Sequence, residues 1–184
     1  MLTKHHLEKL GGNFKGGIAA LARFRCEPTV LLHVPRLMQM DGYSCGLQSA
    51  RMVAEFHGVE ISHSRVERFA KQNRDGTETN PMVAFLRANG MTVRQYCEGE
   101  ARIATILDAL DKGLPIIVSV PEHYLVVNGY DRNSLYVIDP SPHRMPLSII
   151  KRPAFRRMWT REALIVTRVR SHRMRRAAKP KIKK

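Results

Sequence analysis

The sequence predicts an α+β fold, a helical N-terminal half packed on a C-terminal antiparallel sheet. Helical periodicity is concentrated between residues 45 and 110. Three short β-branched and apolar runs then follow within 25 residues, separated by turn chemistry. The junction of loop and first helix falls on a cysteine, Cys45.

The first 28 residues hold two Gly-Gly pairs among basic residues and read as a flexible extension. Residues 29–34, T-V-L-L-H-V, have strand character and stop at Pro35. After the loop M-Q-M-D-G-Y-S, residues 45–56 form a helix with a broad apolar face, closed by Gly58. Ser62 or Ser64 caps a second helix that ends before Asp75-Gly76. A third starts with Asn80 as cap and Pro81 at the first helical position and stops at Asn89-Gly90. Residues 92–96 read as a strand, and residues 103–110 as a helix closed by Lys112-Gly113. Strands are expected at residues 115–120, 124–130 and 135–138, the last two joined by D-R-N-S, with one more at 163–169. Together these place one domain at residues 29–169 and a basic, disordered tail at 170–184.

Charge narrows the function. The net charge of +15 is not spread along the chain: up to residue 143 there are 16 Lys and Arg against 15 Asp and Glu, and beyond it 15 against Glu162 alone. The body is therefore neutral, and a nucleic-acid or anionic-lipid partner is a candidate for the tail only. No apolar run approaches the roughly 20 residues a membrane-spanning helix needs. The cysteines, Cys26, Cys45 and Cys97, are odd in number with no C-x-x-C pair, which fits a reduced, cytoplasmic compartment. No histidine spacing completes a metal site, and no cofactor is expected.

A cysteine in the first turn of a helix sits at the positive end of the macrodipole, which favours negative charge on the sulfur. Gly46 leaves room for a substrate backbone. Gln39, six residues upstream, carries an amide suited to an oxyanion. His123 opens a strand just after Pro121-Glu122 and can serve as base. Asp139 ends the next strand, and the turn between the two brings its carboxylate back to the His123 end, where it can fix the imidazole tautomer. Any one of these residues alone is more often structural than catalytic. The set is what points to thiol chemistry.

The blocks Q-M-D-G-Y-S-C-G-L-Q-S-A-R-M-V-A-E-F-H-G, L-P-I-I-V-S-V-P-E-H-Y-L-V-V-N-G-Y-D and L-Y-V-I-D-P-S-P occur in that order, followed by F-R-R-M-W-T-R-E-A-L-I-V. Over roughly residues 35–169 they resemble the bacteriocin-processing, double-glycine cysteine peptidase domain. The resemblance implies a papain-like fold with Cys45 as nucleophile, His123 as general base, Asp139 as orienting acid and Gln39 as oxyanion donor. It further implies hydrolysis of a peptide or protein substrate after small residues such as Gly-Gly. The family usually has an acidic residue directly before the nucleophile, where this chain has Ser44. Two alternatives use the same fold: a peptide-binding module that does not cut, and a papain-like acyl transferase.

Overall fold

A computed structural model describes residues 27–71 and 78–168. The basic tail, Cys26 and nearly all of the N-terminal extension lie outside the described residues. So does the Asp75-Gly76 stop expected after the second helix. In chain order the described elements are β1 (Val30–Leu31), α1 (Cys45–Phe56), α2 (His63–Lys71), α3 (Thr79–Ala88), β2 (Met91–Tyr96), α4 (Ile103–Asp111), β3 (Ile116–Val120), β4 (His123–Tyr130), β5 (Ser134–Ile138), β6 (Ser148–Lys151), α5 (Arg152–Met158) and β7 (Ala163–Arg168).

The strands form one antiparallel sheet in the order β2-β7-β3-β4-β5-β6, with β1 paired to β4. The chain's last described strand is thus inserted between β2 and β3, which makes β2 an edge of the same sheet. One face packs against α1, α2 and α3 through Leu47, Met52, Val66, Phe85, Ile117, Val126 and Leu164. The other is covered by α4 and α5 through Ile106, Leu110, Val118, Leu125, Val137 and Phe155. Burial on both faces explains why β3 and β5 are buried at every position and show no polar alternation.

Several boundaries differ from the sequence expectation. β1 shrinks to two paired residues because Asn128, at a register shift in β4, turns its side chain onto the Leu32 carbonyl at 2.9 Å. β1 lies so close to β4 that a Cβ on Gly129 would meet the Val30 carbonyl oxygen at 2.5 Å, so glycine is required there. Helix α2 begins at His63, which selects Ser62 over Ser64 as the residue before it. Helix α3 begins one residue before Asn80, with Glu78 at the cap, and Pro81 stands inside the first turn, where its missing N–H is not needed. The expected stops hold: Gly58, Gly90 and Gly113 are all left-handed. Two elements had no sequence expectation, the edge strand β6 and the short helix α5 that follows it directly.

Candidate active site

Cys45 is the first residue of α1, 7% exposed, with the loop 35–44 leading into it. That loop is shaped by Asp41, whose carboxylate Oδ1 accepts the backbone N–H of Tyr43 at 3.0 Å and of Ser44 at 2.7 Å. The same residue's carbonyl accepts the Gln39 side-chain amide at 2.7 Å. Ser44 makes no side-chain cap to α1. Ser49, one turn along α1, donates to the Tyr124 carbonyl at 3.4 Å and ties the helix to the start of β4.

His123 is the first residue of β4 and pairs with Val120 across a two-residue turn, Pro121-Glu122. Proline fixes its own φ near −65°, and Glu122 has φ 60°, so the turn has the left-handed third position of a type II turn. This sharp reversal puts the imidazole at the sheet's end, within hydrogen-bonding reach of the Cys45 thiol. On the other side of the ring, Nε2 lies 2.8 Å from Asp139 Oδ1, which leaves Nδ1 for the sulfur. Asp139 comes from the end of β5, carried back by the hairpin whose turn is closed by Asp131 accepting the N–H groups of Asn133 and Ser134, each at 2.7 Å.

The electrostatics follow from these contacts. The Asp139 hydrogen bond, helped by the Cys45 hydrogen bond and opposed by burial, raises the His123 pKa from the ordinary 6.5 to about 9. Burial works to raise the Asp139 carboxyl, but bonds from His123 and the Ser141 N–H hold it below the usual carboxylate range. At neutral pH the pair is therefore an imidazolium on a carboxylate, with side-chain exposures of 25% and 12%.

The structure thus brings the Cys45 thiol beside His123, which is hydrogen-bonded to Asp139, with Gln39 on the adjoining loop. Gln39 faces the same cavity as His123 and Asp139. Its Nε2 spends one hydrogen on Asp41 and keeps a second. Sequence reasoning missed Arg36. Its guanidinium donates to three carbonyls across the cleft, those of Asp139 at 3.1 Å, Ser141 at 2.7 Å and Arg144 at 2.9 Å. The Gln39 N–H adds a fourth tie, to the Pro140 carbonyl at 2.9 Å. Together they clamp the loop that leads to Cys45 onto the segment that follows Asp139. A lone arginine after a proline carries no local signal of this, because its partners are about 100 residues away.

Of the other histidines, His57 donates from Nε2 to the Val166 carbonyl at 2.9 Å, a structural role at the end of α1. Among the described residues no group of three His, Cys, Asp or Glu side chains could hold a metal ion. No described helix is long and apolar enough to cross a membrane.

The model of the peptidase C39 family matches residues 33–171. The chain belongs to the peptidase C39 family. It is a cysteine peptidase with a papain-like fold. The transport/processing ATP-binding protein ComA of Streptococcus pneumoniae is 28% identical over 127 residues, which cover 66% of this chain and 17% of ComA. The chain therefore spans about a sixth of the curated relatives that it matches. The crystal structure of the peptidase domain of Streptococcus ComA, a bifunctional ABC transporter of a quorum-sensing pathway, superimposes with a TM-score of 0.65 at 27% identity. The match covers 74% of this chain and 100% of that domain. A double glycine motif protease from an AMS/PCAT transporter, solved with the leader peptide, shares the fold with a TM-score of 0.62 at 22% identity. That match covers 77% of this chain and 96% of the protease.

Proposed function

We propose that this C39 peptidase cuts a leader-type peptide after a pair of small residues such as Gly-Gly, with Cys45, His123 and Asp139 as its triad and Gln39 as oxyanion donor. The observation that carries the reading is the His123–Asp139 pair, bonded at 2.8 Å, with the Cys45 sulfur close enough to the ring to raise its pKa. An imidazolium that persists to about pH 9 is the natural counter-ion of a thiolate. The sulfur attacks the scissile carbonyl, and the negative oxygen that forms is met by the Cys45 N–H at the helix tip and by the second Gln39 amide hydrogen. His123 passes the proton on Nδ1 to the leaving amine, and the acyl group stays on sulfur. A water then gives its proton to the neutral ring and attacks the thioester, releasing the acid and restoring the starting pair. Asp139 keeps the Nε2–H in place throughout and stabilises the ring's charge. Gly46 beside the sulfur lets a substrate backbone lie against the helix tip. A reducing compartment such as the cytoplasm preserves Cys45 as a thiol.

The test is incubation of wild type and Cys45→Ala with a peptide carrying an internal Gly-Gly, read by mass spectrometry. Wild type is expected to yield one cut, directly after the second glycine, and Cys45→Ala to lose at least about 10³-fold in rate while keeping its thermal transition. A peptide that stays bound and uncut by wild type would select a non-cleaving binding module instead.

A further inference from the structure

Beside the proposed triad lies a cavity of about 420 Å³ whose wall includes Gln39, His123 and Asp139 but not Cys45. The sheet face that carries His123 contributes Leu125 from β4 and Val137 from β5, and Ser141 and Ser148 add polar groups to the wall. Ile150 of β6 and Met158 at the end of α5 form its far side, and Met158 is one of the few large apolar side chains left exposed. Arg144 stands at the rim. Arg144 is the only Lys or Arg that lines the cavity, and the one carboxylate in its wall, Asp139, is already bonded to His123.

Position decides what such a cavity is for. A general acid must stand next to the atom it protonates, so the leaving nitrogen and the chain beyond it pass over His123. The residues before the cut bond lie instead along the Cys45 helix tip, where glycines need no pocket. We propose that this cavity is the binding site for the residues that follow the cut bond. It takes an apolar side chain at the first downstream position, and an acidic side chain at the next position meets Arg144. This rests on the triad reading above and adds to it a recognition element on the product side. The cut would then be specified from both directions, by small residues upstream and by an apolar-acidic pair downstream.

The experiment uses one upstream sequence ending in Gly-Gly, followed by Leu-Glu, Leu-Lys, Gly-Glu or Gly-Lys, together with the same upstream peptide as a methyl ester. Wild type should favour Leu over Gly at the first position by about tenfold or more in kcat/KM. It should favour Glu over Lys at the second by about threefold, an advantage that fades in high salt. Arg144→Glu should reverse the Glu/Lys ratio, and Ser148→Trp, which fills the cavity from β6, should bring the Leu/Gly ratio towards one. Ratios cancel any change these substitutions make to the triad, which matters because the Arg144 charge also reaches Asp139. Cleavage of the ester with equal rates on all four peptides overturns the cavity assignment while leaving the peptidase reading intact. Downstream ratios that ignore both substitutions overturn it too. Failure to cut peptides and ester alike takes down both readings.

Discussion

The two sides of the cleft are built differently. On the sheet side, His123 and Asp139 sit on strands whose register is set by the β3–β4 and β4–β5 pairings, over an apolar face buried by α4 and α5. On the loop side, residues 35–44 form no regular element and hold their shape by side-chain bonds, to Asp41 locally and from Arg36 and Gln39 across the cleft. His123 and Asp139 are thus pre-positioned by the fold, whereas Gln39, the proposed oxyanion donor, is positioned by a handful of polar contacts. Disturbing each side separately should have different signatures.

The largest effect is expected on the sheet side. Asp139→Ala should lower kcat/KM by about 10²- to 10⁴-fold, the range for a disabled acid–base group. It should also move the alkaline limb of the pH profile down from about 9 towards 6.5, because the Asp139 hydrogen bond is the first cause of the raised His123 value. Stability follows the same sign. A raised histidine pKa stabilises the fold fully below pH 6.5 and loses that contribution as pH rises through about 9, so wild type should lose urea resistance across that window and Asp139→Ala should lose less. A pH-rate profile identical in the two proteins would show that the geometry of the pair is not what sets the base.

Next comes the loop side. Gln39→Ala should cost about 10²- to 10³-fold in kcat with KM little changed, since an oxyanion donor acts only as charge develops. Its pH profile should stay where it is. A smaller effect is expected of Arg36→Ala, a loss of about 1–2 kcal/mol in urea unfolding from its bonds to carbonyls, with kcat/KM down roughly tenfold. Arg36→Lys should not rescue it, because one ammonium cannot reproduce a planar fork spanning three acceptors. The smallest is Glu122→Gly, which relieves a left-handed non-glycine and should alter stability by less than about 1 kcal/mol, measured as a shift in thermal midpoint.

What was legible in the sequence follows the same division. The helices of residues 45–111 and the hairpins of residues 115–138 could be read because each is a local pattern, an apolar period ended by Gly58, Gly90 or Gly113. The short edge strand β6 and helix α5 escaped because S-I-I-K-R-P-A-F has no repeat long enough to show a period, and pairing with β5 is what makes the first half a strand. Likewise β2 reads as a strand between helices, and nothing in M-T-V-R-Q-Y announces that its partner is β7, more than 60 residues on.

The sequence by itself determined most of the element types, the neutral body with its basic end, and the residues able to do thiol chemistry, because propensity, charge and reactivity are properties of side chains and their near neighbours. Only the tertiary structure decided that the Cys45 thiol lies beside the His123 ring that Asp139 holds, that Arg36 joins the two halves of the cleft, and that a cavity with Leu125, Val137 and Arg144 in its wall opens beside the ring. The first two are contacts between residues 78 to 108 positions apart in the chain. They exist only once hydrophobic burial on both faces of the sheet has fixed where its strand ends lie.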